Sequence, residues 1–211
     1  MTDKKGNLSL IITSLPASRM ASDFVQKIVD GSSNHFLLSL NSPPGFGRSL
    51  LAKNTWSHYQ QTLPSSFISI KEFVFNETFN LTKLLSKVIQ DLIDTIPPRY
   101  IKELDDYRTI QNNEYLANTI KILVKKIADY GKITLLIIDD FDCVPDQDMV
   151  WLKNNLITPL VMTRKVSIIF TSESKLRFED ENDFVVHTSM ENIELTNIEK
   201  QGISNAFPEY G

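Results

Sequence analysis

Cysteine is nearly absent: Cys143 stands alone in 211 residues, which excludes an intramolecular disulfide framework and leaves no thiol pair for redox or zinc chemistry. That scarcity suits a reducing compartment, and a cytoplasmic protein is expected. Excess positive charge is lacking too. With 22 Lys and Arg against 26 Asp and Glu, the net charge of −4 disfavours the basic footprint that non-specific nucleic-acid binding needs. No apolar run reaches membrane length, because the patch at Leu8 to Ile12 is interrupted by Thr13, Ser14 and Pro16. Neither a targeting segment nor a membrane partner is expected. The three histidines, His35, His58 and His187, share no spacing that suggests a metal site or a catalytic triad. Repeats and low-complexity segments are missing as well, and the acidic cluster from Glu179 to Asp183 reads as a solvated loop.

What is present is apolar material in two alternating rhythms. At 42% hydrophobic, the chain can fill one substantial core. Phe36 to Leu40, Phe67 to Phe75, Ile133 to Ile138 and Val166 to Phe170 read as strands, three of them continuous enough to be buried on both faces. A last strand is placed at Phe184 to His187 or at Ile193 to Leu195. Helical spacing marks Ser18 to Asp30, Ser49 to Tyr59, Leu81 to Ile96 before Pro97-Pro98, Glu114 to Tyr130 before Gly131, Asp146 to Met162, and Asn197 to Phe207. Alternating strands and helices predict an α/β fold, a doubly wound, mostly parallel five-stranded sheet flanked by helices. Residues 1–33 are expected to form a lead-in helix and strand, and 34–211 the core.

The segment Ser42-Pro-Pro-Gly-Phe-Gly-Arg-Ser49 follows an apolar strand and precedes a helix. It approximates a phosphate-binding loop, G-x-x-x-x-G-K-[ST], in which backbone N–H groups curl around phosphate oxygens and a lysine reaches the terminal phosphates. Ser42 replaces the first glycine and Arg48 the lysine. The turn would offer Pro44, Gly45, Phe46, Gly47, Arg48, Ser49 and Leu50 to a nucleotide, with the Ser49 hydroxyl on Mg2+. An ordinary Pro-Gly turn is the other reading of the same residues.

Two further strand ends bear on that choice. Ile133 to Ile138 delivers Asp139 and Asp140 to the sheet edge, where Asp139 could hold magnesium-bound water and Asp140 could orient an attacking water as the catalytic group. The same pair would also suit a helix cap. Val166 to Phe170 ends in Thr171-Ser172, whose hydroxyls could reach phosphate or simply terminate the strand. Trp56 and Trp151 fall on helices as packing residues, and Cys143 as a small packed thiol.

In this order the segments resemble the P-loop NTPase domains of the STAND class and their AAA+ relatives, within the ASCE division. Ser42 to Ser49 is similar to their Walker A loop, Leu135-Leu-Ile-Ile-Asp-Asp-Phe-Asp142 to their Walker B strand, and Val166 to Ser174 to their sensor 1 strand. Glu194 to Glu199 resembles the segment that closes the core and leads to a helical lid, and the lid itself is expected to be absent. The resemblance implies Mg2+ with ATP or ADP, an adenine-nucleotide partner, and contact with other protein domains or with further copies of the chain. Glu173 stands near the place where relatives carry a phosphate-contacting arginine, and arginine is no simple substitute for lysine under a phosphate. The expected function is therefore a nucleotide-binding regulatory switch of signalling or defence type with weak or absent hydrolysis. A pseudo-NTPase acting as an interaction scaffold is the alternative, and a DNA-associated AAA+ ATPase is disfavoured by the acidic balance.

Overall fold

The structure, a computed structural model, describes residues 15–74, 78–96, 109–110, 112–176 and 190–206. Its strands are β1 (Leu37–Asn41), β2 (Ser65–Ser69), β3 (Thr134–Asp139), β4 (Val166–Ser172) and β5 (Met190–Glu194). They form a five-stranded sheet in the order β2-β3-β4-β1-β5, and every pairing is parallel. A parallel sheet needs a crossover between neighbouring strands and cover on both faces, which is why β1, β3 and β4 are buried along their whole length.

The cover comes from helices with one apolar stripe each. Helix α1 (Pro16–Val29) buries Ala21, Phe24, Val25 and Ile28 and packs on α2 (Arg48–Tyr59), where the Tyr59 hydroxyl donates to the Ser22 carbonyl at 3.0 Å. A short α3 (Ile70–Val74) follows β2 directly. Helix α4 (Leu81–Asp94) buries Leu84, Leu85, Val88, Ile89 and Leu92 and lies against α5 (Asn113–Asp129), which buries Leu116, Ile120, Leu123, Val124 and Ile127. Asn80 and Asn112 cap these two helices by accepting from Lys83 N and Tyr115 N, each at 3.0 Å. Gly131, at φ +71°, ends α5 as expected. After a 3-10 turn at Phe141–Cys143 come α6 (Asp146–Leu152), a π turn (Lys153–Ile157) and α7 (Thr158–Met162), and the last described helix is α8 (Asn197–Ala206). One continuous apolar cluster joins α1 to the sheet and its flanking helices.

Two expectations change. The strand foreseen over Phe67 to Phe75 stops at Ser69, because the Ser69 hydroxyl accepts from Glu72 N at 3.4 Å and caps a new helix where β-propensity alone would continue the strand. The helix foreseen over Asp146 to Met162 is present but widened in the middle. Pro159 has no N–H and crowds the carbonyl one turn back, and the π turn ahead of it relieves that conflict. Of the two candidate last strands, the second, Ile193 to Leu195, overlaps the end of β5, which starts three residues earlier and stops at Glu194, while Phe184 to His187 falls outside the described residues, as do Leu8 to Ile12, Pro97-Pro98 and Glu179 to Asp183. Among the described residues no helix is long and apolar enough to cross a membrane.

Candidate functional site

All the expected site residues meet at the carboxyl ends of β1, β3 and β4, the edge where strands of an open α/β sheet deliver their loops. Ser42 N donates to the Ser172 carbonyl at 3.2 Å and holds the start of the loop against β4. The chain then turns through Pro43 and Pro44 to Gly45 at φ +83° and Gly47 at φ +81°, and α2 begins at Arg48. Both angles are left-handed, and glycine adopts them without a Cβ penalty. No side chain caps α2 and its first turn carries no acid, so its leading N–H groups face outward as donors beside the glycine turn. Such an arrangement concentrates positive potential and suits an anion.

The loop forms one wall of a cavity of about 480 Å³. Pro44, Gly45, Gly47, Arg48, Ser49 and Leu50 line it from the loop side, and Asp139 and Asp140 from the end of β3. Phe46 does not line it; its ring packs against the core and lies 5.1 Å from the Lys200 ammonium. Thr171 is wholly buried. Its hydroxyl donates to Asp139 Oδ1 and accepts from Asp140 N at 2.8 Å, so it holds the two aspartates instead of presenting itself to the cavity.

Behind the loop the charges pair with one another. Arg48 is 5% exposed; its Nη1 donates to the Ser42 carbonyl at 2.6 Å, and its Nη2 to Asp140 Oδ1 at 3.1 Å and Glu173 Oε1 at 3.5 Å. Its Nε is buried without a partner. Lys71 Nζ reaches the same Asp140 oxygen at 3.0 Å and lies 3.9 Å from Glu173. Glu173 is in turn anchored through its own N–H, which donates to Asp142 at 3.0 Å. Glu173, which stands near the place expected to carry a phosphate-contacting arginine, is thus engaged with two cations. Asp140 has φ +56°, a left-handed backbone that aspartate tolerates better than most residues and that turns the chain from β3 into the 3-10 helix.

Burial raises the Asp139 carboxyl above its usual range, and the Asp140 charge beside it adds to this; hydrogen bonds from Thr171 and Ser49 and the nearby Arg48 act in the opposite sense. The hydrogen bond to Asp140 raises Lys71, which stays firmly cationic. Cys143 is raised chiefly by burial and is a poor nucleophile. Trp56, half-buried, packs on Phe67 with ring centroids 5.6 Å apart.

Sequence reasoning missed the other side of the cavity, which is lined by Lys53, Phe67, Lys71, Glu72 and Ile203. Lys71 sits where a strand was expected to continue; placing the end of β2 at Ser69 would have brought it to the carboxyl edge. Ile203 comes from α8, and a Cβ added to Gly47 would lie 2.0 Å from its Cδ1. The same helix is tied to the start of α1, because Glu199 accepts from Ala17 N at 3.3 Å as well as from Thr196 N at 2.8 Å. Burial works to raise the Glu199 carboxyl, but these hydrogen bonds together outweigh it and hold it below its usual value.

No protein-family model and no curated protein matches the chain. Solved structures match it by shape. Cdc6p from Pyrobaculum aerophilum superposes with a TM-score of 0.54 at 13% identity, over 86% of this chain and 46% of that one. The structure of Drosophila ORC bound to AT-rich DNA and Cdc6 gives 0.56 at 11% identity, over 93% and 59%. Aeropyrum pernix Orc1 in complex with DNA gives 0.56 at 14%, over 89% and 48%. The chain spans about half the length of these structures, and at such identities the likeness is one of fold. Its all-parallel five-stranded sheet flanked by helices is the fold seen in these Cdc6 and ORC structures.

Proposed function

We propose that the chain is a nucleotide-binding regulatory module that takes ATP or ADP with Mg2+ and hydrolyses ATP weakly or not at all. The observation that carries this reading is the pair of left-handed glycines, Gly45 and Gly47, set at an uncapped helix N-terminus on the wall of a cavity of about 480 Å³. Backbone donors of this kind fit a polyphosphate. Ser49 and Asp139, which both line the cavity, are the residues that would hold Mg2+. Among the described residues no group of three His, Cys, Asp or Glu could hold a metal, so a hard cation here would complete its oxygen shell from phosphate and water. Ion and nucleotide would therefore arrive together.

Slow hydrolysis follows from charge. Phosphoryl transfer depends on positive charge fixed where negative charge develops, and here the Arg48 guanidinium is engaged by Asp140 and Glu173. Asp140, the group that would orient water, is itself held by two cations. A switch of the STAND kind needs the nucleotide to be felt elsewhere, and α8 supports this by touching the loop through Ile203 and α1 through Glu199. The second reading, a scaffold that has given up nucleotide, is favoured by the same Arg48 contacts.

Titration calorimetry of the chain with Mg-ATP and Mg-ADP tests the choice. Saturable binding of either, with phosphate release near background, is the expected result. No binding at millimolar nucleotide would leave the scaffold, and brisk turnover abolished by Asp140→Asn would show the site to be catalytically intact.

A further inference from the structure

We propose that the side chain meeting the phosphates in this cavity is Lys71, from the short helix α3 after β2, and that Arg48 is a positioning residue that braces the loop from behind. This rests on the nucleotide reading above and names the cation that serves it.

The two cations share one carboxylate oxygen but differ in what their release would cost. The Arg48 side chain is 6% exposed and bridges three elements at once: the loop through the Ser42 carbonyl, β3 through Asp140, and the end of β4 through Glu173. Turning it toward a ligand would take the donor from the Ser42 carbonyl, release Glu173 from its closer cation and leave the buried Asp140 with the half-exposed Lys71 alone, and breaking a buried pair is among the more expensive changes in a protein. Lys71 is 52% exposed and has one close partner, Asp140 at 3.0 Å, with Glu173 at a looser 3.9 Å. A half-exposed ion pair contributes little to stability, so a phosphate can take the ammonium from it readily. When Lys71 leaves, Asp140 keeps Arg48 at 3.1 Å and is not stranded. Asp140 keeps one cation either way, but only the departure of Lys71 leaves every buried contact of Arg48 in place.

The chemistry points the same way. A lysine ammonium is a compact charge on a flexible stem and approaches phosphate oxygens from many angles, whereas a guanidinium already locked by its fork cannot. Lys71 lines the cavity together with Gly45, Gly47 and Ser49, so it borders the same space as the backbone donors. Lys53, which also lines the cavity, is the competing cation and enters one turn further along α2.

The test compares ATP, ADP and adenosine binding to the wild-type chain and to Lys71→Met, Lys53→Met and Arg48→Lys. Lys71→Met should lose about tenfold or more in ATP affinity with adenosine affinity kept, a change of about 1.4 kcal/mol in the ATP-over-adenosine preference. Arg48→Lys should lower the melting temperature while keeping that preference. If it does not fold, Lys71→Met decides alone. Wild-type binding with an unchanged preference in Lys71→Met overturns this inference and spares the nucleotide reading, as does a loss carried by Lys53→Met or Arg48→Lys instead. Absence of any wild-type binding sinks both.

Discussion

The loop wall of the cavity and the charged wall behind it keep their shapes by different means. The loop from Ser42 to Ser49 is shaped by backbone angles at Gly45 and Gly47, and its donors are main-chain N–H groups that any sequence of the right conformation would supply. The wall behind it is four side chains from four places, Arg48, Lys71, Asp140 and Glu173, each defined by the others. A backbone-built surface survives changes of side chain, and Ser42 and Arg48 stand in the loop without disturbing it. A side-chain network has no such tolerance, because each member is the counter-charge of another.

The sharpest way to break the charged wall is Arg48→Ala. It leaves the Asp140 carboxylate buried with Lys71 alone, and a loss of about 3–5 kcal/mol in denaturant-unfolding stability is expected. A loss below about 1 kcal/mol would show the network to be no more than a surface cluster.

The loop wall is tested by two alanines that differ only in their surroundings. At Gly45 an added Cβ meets nothing within 4 Å, so Gly45→Ala should cost only left-handed strain, about 1–2 kcal/mol. At Gly47 the added methyl also collides with Ile203, and about 1–3 kcal/mol more is expected from overpacking. Equal losses in thermal or urea melts would mean that α8 does not press on the loop in solution.

The smallest effect has the opposite sign. Burial is the main reason the Asp139 carboxyl titrates above its usual value, so the folded chain takes up this proton at a higher pH than the unfolded chain does. The stability owed to this group accordingly declines as pH rises from the ordinary aspartate range through the raised value, and stays low above it. Asp139→Asn keeps an oxygen for the Thr171 hydroxyl while removing the buried charge. Its melting temperature should exceed that of the wild type at neutral pH, with the gap closing as pH falls toward the ordinary aspartate range. A lower melting temperature at neutral pH would show that the Thr171 and Ser49 hydrogen bonds outweigh burial.

Much of the frame was legible because it rests on periodicity. The continuous apolar run of β3 ends at Asp139, and the α4 stripe from Leu81 to Leu92 is buried as its spacing requires. The loop was legible too, since glycine at positions 45 and 47 is a local signal. The partners of Arg48 were not: Asp140 lies 92 residues and Glu173 125 residues along the chain, and no local rule links them. Lys71 was hidden for another reason. The stretch from Phe67 to Phe75 has strand-like composition, and one serine hydroxyl at position 69 decides where the strand yields to a helix.

The strand order β2-β3-β4-β1-β5 also sets a timetable. Strand β1, which launches the loop, hydrogen-bonds only to β4 and β5 among the described strands, and both come late in the chain. During synthesis at about 5–20 residues per second, the stretch from Asn41 to Val166 keeps β1 waiting on the order of ten seconds before its first neighbour exists. The apolar segment Leu37–Asn41 is therefore made before the other four strands and paired only after β2 and β3 can pair with each other. For that interval it is an unpaired edge in the growing chain, and the cavity is complete only once α8, which brings Ile203, has been made.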